Sequence, residues 1–238
     1  MAEDMGEAPM PRLFYPIFLD LSDRPVLVVG GGAVAERKVC TLVLHGARPQ
    51  VVAPAVTARI EELAGAGDLS WEARAYARGD CAGALLVFAA TDDRDVNRLV
   101  ADEARSCGCL LNVADDPDAC DALVPSSFTR GTLQVAVSTG GASPTLARRI
   151  REEQQRSYGP EYGEYVTLLG AVRRLACARI DEVGTRRDVI ARSCDGSLLE
   201  RIRAGEVLDC ERVFSELVSD VRAMQERDNR NESGKDER

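Results

Sequence analysis

No stretch of the sequence approaches the roughly 18 consecutive apolar residues that a membrane-spanning helix requires, so a helical span is excluded and no membrane partner is expected. The opening MAEDMGEAPMPR is acidic where a secretory signal would be basic and then apolar, which leads to an expectation of a cytoplasmic protein. Basic residues are also in deficit: 30 lysines and arginines against 39 acids leave a net charge of -9. That balance opposes the sequence-independent attraction to a phosphate backbone, so nucleic acid is not an expected partner. Histidine occurs once, as His45, before Gly46 at the end of a helical pattern. There it is placed to meet terminal carbonyls, not to act as an acid or base. A dehydrogenase of small hydroxy acids, which wants a catalytic histidine or lysine, is disfavoured on that ground. The eight cysteines are scattered through a chain too large to depend on cross-links and are expected to be reduced thiols. Only Cys107, Cys109 and Cys120 come close together; their spacing matches no common zinc pattern, and no metal site is expected.

What the chain does have is apolar residues, 45% of the total, in a pattern that alternates between two periods. Val26 to Val29 read as a buried parallel strand that stops at three glycines. From Ala33 the spacing turns helical, with Ala35, Val39, Leu42 and Val43 on one face and Gly46 as the stop. Strands are expected at Gln50 to Ala53 and Leu69 to Ala73, with a short helix over Val56 to Leu63 between them. Another buried strand, Ala84 to Ala90, is followed by Thr91, Asp92 and Asp93 as capping residues and by a helix with Val96, Leu99, Val100 and Ala104 on its apolar face. Cys109 to Val113 completes the series. This alternation predicts an α/β fold, a doubly wound parallel sheet over residues 12–115. Beyond Asp115 the rhythm changes. Strands are expected at Ala122 to Val124 and Leu133 to Ser138, then a helix from Ser143-Pro144 to Ser157, ended by Gly159-Pro160. Tyr165, Leu168, Val172 and Leu175, and later Val213, Leu217 and Val221, recur at helical spacing, and residues 227–238 are expected to be a disordered tail.

Gly30, Gly31, Gly32, Ala33, Val34 and Ala35 form a G-x-G-x-x-A string after a strand and at the start of a helix. In that context the first glycine permits a tight turn, backbone approaches a pyrophosphate at the second, and free N–H groups at the helix start attract the phosphates. Dinucleotide is the expected ligand. The acidic residue that often ends the second strand and holds the ribose hydroxyls is missing, its region being Val52, Ala53, Pro54 and Ala55. The residues therefore leave NAD and NADP both open, with backbone near Pro54 and Ala55 as a substitute contact.

VVGGGAVAERK (Val28 to Lys38), AATDDRDVN (Ala89 to Asn97), NVADDP (Asn112 to Pro117) and VAVSTGGASPTLARRIR (Val135 to Arg151) occur in that order. Together they resemble the N-terminal module of siroheme synthase, the precorrin-2 dehydrogenase and sirohydrochlorin ferrochelatase family. The likeness covers residues 14–155 and includes the leader Tyr15-Pro16-Ile17-Phe18. With no methyltransferase pattern following in the sequence, a stand-alone dehydrogenase is the expectation over a fused enzyme. The resemblance implies NAD as cofactor, with contacts at Gly30, Gly31, Gly32, Ala33 and Val34, at Pro54 and Ala55, and at Thr91 and Asp92. It implies oxidation of precorrin-2 to sirohydrochlorin, and in some members insertion of ferrous iron. It also implies a homodimer, with a dimerisation and active-site segment at 116–157 and a helical domain at 158–226. The family's key aspartate matches Asp115. A residue just past the carboxyl end of a strand lies where ligands collect in such sheets, and its carboxylate can take a released proton; beside Asp116 and Pro117 it also suits a plain turn.

Thr139 takes the place of a serine modified in some fused relatives, though a hydroxyl before Gly140-Gly141 also suits a local cap. Arg37, Lys38, Arg130, Arg148, Arg149 and Arg151 are candidates to meet the substrate's carboxylates. With His45 committed elsewhere, iron insertion would rest on Asp115 or another carboxylate. The competing class is an NAD(P)-sensing regulatory module without catalysis, which uses the same glycine turn but usually keeps the missing acid.

Overall fold

The computed structural model describes residues 12–233, and the acidic leader lies almost wholly outside the described residues. Five short strands form one parallel sheet in the order β3-β2-β1-β4-β5: β1 (Val26–Val29), β2 (Gln50–Val52), β3 (Ser70–Glu72), β4 (Leu86–Ala89) and β5 (Leu110–Val113). The central strands β1 and β4 are buried along their whole length, as their unbroken apolar runs require. Side chains alternate between the two faces. Val26, Val28, Val51 and Phe88 meet α1 (Ala33–Leu44) and α2 (Ala58–Ala66) through Ala35, Val39, Leu42, Ile60 and Leu63. Leu27, Val29, Val87 and Leu111 meet α3 (Arg94–Ser106) through Val100, Ala101 and Ala104. Leu99, expected on that apolar face, is 53% exposed. Among the expected capping residues it is Asp93 that caps α3, accepting from the N–H groups of Asp95 and Val96. At the end of α1, His45 Nδ1 lies 2.7 Å from the Thr41 carbonyl oxygen and Gly46 takes up φ 80°.

The chain divides into two compact units. One holds the residues up to Val124 together with Ser138–Ser143, and the other Pro125–Val137 and the chain from Pro144 onward. The expected partition at 115 and 157 followed the chain linearly, whereas the glycine loop Ser138–Ser143 returns to the sheet unit. It returns because Gly141, at φ 88°, packs on Pro117: a Cβ there would lie 3.2 Å from the proline Cβ.

The second unit begins with an antiparallel hairpin of β6 (Ser126–Arg130) and β7 (Leu133–Val137), against which α4 (Pro144–Ser157) packs. The strand expected at Ala122 to Val124 does not form. Asp121 and Ala122 bond locally to the Leu111 carbonyl, Pro125 has no N–H to give, and pairing starts at Ser126. α5 (Glu161–Arg179), α6 (Val183–Ser193), α7 (Ser197–Arg203) and α8 (Cys210–Ser233) share a core of Tyr165, Leu168, Val172, Val189, Ile202, Val213, Leu217 and Val221. α8 overruns the expected start of the tail and continues to Ser233; residues 234–238 lie outside the described ones. A helix anchored by Val213, Phe214, Leu217 and Val221 can extend through polar, helix-favouring residues at little further cost per residue. No helix among the described residues is long and apolar enough to cross a membrane.

Candidate functional site

In the strand order β3-β2-β1-β4-β5, the chain's winding reverses between β1 and β4, and the crevice above that point is where such sheets take ligands. The glycine turn fills the floor of the crevice, and each glycine does something different. Gly30 sits at φ 121°, donates its N–H to Val52 O at 3.0 Å, and a Cβ there would fall 2.3 Å from the Ala90 carbonyl oxygen. A Cβ on Gly31 would fall 2.0 Å from Ala55 O. These two are glycines because the ends of β4 and β2 press against them. Gly32 differs: it has the ordinary extended angles φ -81° and ψ -174°, and a Cβ built on it meets nothing within 4 Å. The protein itself does not require a glycine there. A phosphate group approaching the first turn of α1 would, and Gly32 provides no side-chain cap to compete for that turn's N–H groups. Gly30 to Val34, Pro54, Ala55, Thr91 and Asp92 thus gather on one edge of the sheet, and the turn fits a dinucleotide.

Thr91 is fixed by a residue that sequence reading quoted but gave no role. Asn97, buried on α3, accepts the Thr91 N–H at 3.2 Å and donates Nδ2 to the Thr91 carbonyl at 2.9 Å, while Thr91 Oγ1 lies 2.8 Å from Asn97 Oδ1. The amide therefore acts as a brace for the loop, leaving Asp92 exposed. Among the described residues, the acid at the end of the neighbouring strand does not take over the role missing from the end of β2. Glu72 at the end of β3 is occupied by Gln50 and Arg74.

Asp115 is exposed and is one of two described non-glycine residues with positive φ, at 60°. Asp tolerates this left-handed conformation better than most residues, yet it persists only where neighbours impose it. Here Ala114 N–H donates to Ala89 O at 2.8 Å, and Arg12 donates to the carbonyls of Asp118 and Cys120 at 2.9 and 3.0 Å. Cys120 lies 3.2 Å from both Val113 N and Asp116 O; burial pushes its thiol up, so it stays a neutral S–H that can donate to a carbonyl. Cys109 is buried with its Sγ 3.4 Å from Cys81 O, and Cys107 is exposed.

The candidate cations separate. Lys38 is drawn into the sheet unit, with Nζ 2.7 Å from Asn112 Oδ1, while Arg37 on the same helix is exposed. In the second unit Arg130 is engaged with the carbonyls of Tyr158 and Thr129, Arg148 and Arg149 pair with Glu152 and Glu153, and Arg151 contacts Gln155. Ser138 Oγ accepts from Gly140 N and Thr139 Oγ1 from Ser143 N, so both hydroxyls cap their own loop.

Comparison with known proteins points to the same nucleotide-binding fold. A family model described as putative NAD(P)-binding matches residues 17–126, and one described as sirohaem biosynthesis protein central matches 130–155. The sheet unit is a Rossmann-type NAD-binding fold. Siroheme synthases of Methylococcus capsulatus and Stutzerimonas stutzeri are 41% and 38% identical to the chain, covering 90% and 87% of it. The chain spans only 45% of the length of each of these relatives. A solved structure described as SirC, precorrin-2 dehydrogenase, matches with a TM-score of 0.71 at 30% identity, over 87% of this chain and all of that one. The chain belongs to the family that unites precorrin-2 dehydrogenases with siroheme synthases.

Proposed function

We propose that the protein oxidises precorrin-2 to sirohydrochlorin with NAD, within siroheme biosynthesis. The observation that carries this reading is the shared sheet edge: a turn left open at Gly32 for a dinucleotide, and the exposed, conformationally constrained Asp115 past the neighbouring strands. NAD, when bound, supplies the acceptor for the hydride removed from a carbon of the macrocycle. The chain's own residues do the rest. The N–H groups at the start of α1 hold the pyrophosphate, Ala55 and Asp92 flank the nucleotide, and Asp115 takes the proton released as the second hydrogen leaves. The balance is precorrin-2 and NAD to sirohydrochlorin, NADH and one proton.

Ferrous iron is a proposed second substrate, displacing two pyrrole protons that a carboxylate such as Asp115 accepts, since His45 is spent on the end of α1. A homodimer formed through residues 116–157 completes the reading. In support, α4 buries only Ala147, and Leu133, Val135 and Val137 on β7 are left only partly buried. The eight unpaired cysteines suit a reducing cytoplasm. The test is anaerobic absorbance of the protein with enzymatically generated precorrin-2 and NAD, then ferrous iron. Sirohydrochlorin appearing with NADH is the expected result, followed by an iron-dependent change above the rate without protein. Nucleotide binding without turnover would leave a sensing module instead.

A further inference from the structure

We infer that Lys38 is a positioning residue of the Asp115 site: through Asn112 it ties the helix that starts at the glycine turn to the strand end that carries the carboxylate. The inference rests on the proposed role of Asp115. Lys38 lies on α1, whose own packing is done by Ala35, Val39 and Leu42. A lysine at the margin of such a face ordinarily runs its stem over apolar surface and ends in water. Lys38 instead turns inward. Its Nζ stands 4.9 Å from the centre of the Phe88 ring on β4 and 2.7 Å from Asn112 Oδ1 on β5, so it crosses one strand to reach the next. Burial lowers its pKa below the usual lysine value, with Arg37 adding to that effect and Asp115 opposing it.

Asn112 is held at its other end as well. Its Nδ2 donates to Ala122 O at 2.8 Å, and among the described residues it is one of few buried polar side chains. With a cation on Oδ1 and a carbonyl on Nδ2, only one orientation of the amide satisfies both partners. The sequence could reach the same fold with an apolar pair here, since replacing both partners of a buried hydrogen bond by apolar groups is often neutral. What the apolar pair would lack is a charged donor that fixes the Asn112 amide three residues before Asp115. Asn112 precedes Asp115 by three residues, so the side chain that sets the strand end is set in turn by the helix of the cofactor turn.

Lys38→Met keeps the unbranched stem of the side chain, one atom shorter, and its passage over Phe88 but removes the charge and the donor. The expected result is a fall in kcat for sirohydrochlorin formation of about tenfold, the worth of one charge-assisted hydrogen bond, with NAD affinity and the KM for precorrin-2 unchanged. Lys38→Arg should recover most of the rate. A second readout does not depend on turnover: the side-chain amide resonances of Asn112, assigned by their loss in Asn112→Asp, shift in Lys38→Met and stay near their original positions in Lys38→Arg. An unchanged kcat, a raised precorrin-2 KM with kcat intact, or an unmoved Asn112 amide would each overturn the inference. Absence of turnover in the unsubstituted protein would instead defeat the dehydrogenase reading, and the amide resonances would still decide whether Lys38 sets Asn112.

Discussion

Gly32→Asp should make the apo protein slightly more stable while abolishing its affinity for NAD. Gly32 is the N-cap of α1, has extended backbone angles open to any residue, and has open space where a side chain would go. Aspartate is among the best N-caps, worth a few tenths of a kcal/mol over glycine, and its charge gains about 0.3–1 kcal/mol from the helix dipole. Losing a glycine from the unfolded chain adds roughly 0.4–1 kcal/mol. The sum, about 1–2 kcal/mol, should raise Tm by about 2–8 °C in a chain of this size. On the proposed placement of the cofactor, the same carboxylate would stand where the pyrophosphate goes. Two like charges about 4 Å apart at an effective dielectric near 20 repel by about 4 kcal/mol, so affinity should drop at least about a hundredfold. Gly31→Ala is the contrast. Its methyl would strike backbone at 2.0 Å, so it should lower Tm by about 2–12 °C, from an overpacking cost of about 1–3 kcal/mol. Thermal unfolding by circular dichroism and calorimetric titration with NAD read both quantities. Retained NAD affinity in Gly32→Asp, or a loss of stability matching that of Gly31→Ala, would refute the assignment of the open turn to the cofactor.

Asp115→Asn and Asp115→Ala should both keep NAD binding and lose most precorrin-2 turnover. They should differ in stability, with Ala lower by about 1 kcal/mol because it tolerates φ 60° less well than Asn; equal turnover by either variant would remove the carboxylate from the reaction. Asn97→Ala should cost about 1–3 kcal/mol by leaving Thr91 unbraced, and should weaken NAD as the Asp92 loop loosens. A lower Tm with unaltered NAD affinity would confine Asn97 to folding. Asp80 accepts both Arg74 Nη1 and Nη2, at 2.8 and 2.7 Å, and the guanidinium holds its carboxyl below the usual value. Its contribution is present above the unfolded-state value near 3.8 and disappears as pH falls through the lower folded-state value. Asp80→Asn should therefore flatten the acid arm of a stability-against-pH curve, and an unchanged arm would count against the pair.

The elements that were legible in the sequence are those whose signal is local. β1 announced itself by four apolar residues before three glycines, and α4 by Ser143-Pro144 at its start and Gly159-Pro160 past its end. β6 was illegible because its residues, Ser126 to Arg130, are mostly polar and pair only with β7. The run Ala122 to Val124 was misleading because Ala122 and Leu123 pack against the cores, Val124 is exposed, and none of them joins a ladder. Leu99 followed the helical spacing of its neighbours, yet the orientation of α3 on the sheet turned it outward. Of the candidate site, the glycine turn was read from residue type and position, whereas Asp115 was proposed from the family resemblance, its place past a strand end suiting the role. The brace by Asn97 and the reach of Lys38 to Asn112 were not legible, because nothing in the spacing of residues 38 and 112 indicates that their atoms meet.

By itself the sequence determined the alternation of strand and helix, and with it the parallel sheet, because periodicity and punctuation by glycine and proline act over a few residues at a time. It also determined which side chains were available for chemistry: one histidine, an aspartate past the last strand of the sheet and a surplus of acid. Only the tertiary structure decided why Gly30 and Gly31 are glycines, since the ends of β4 and β2 press against them, and that the space at Gly32 is open. It alone returned Ser138–Ser143 to the sheet unit and gave Asp115 its left-handed turn. Those are contacts between segments far apart in the chain, and their physical cause lies in packing that no local pattern encodes.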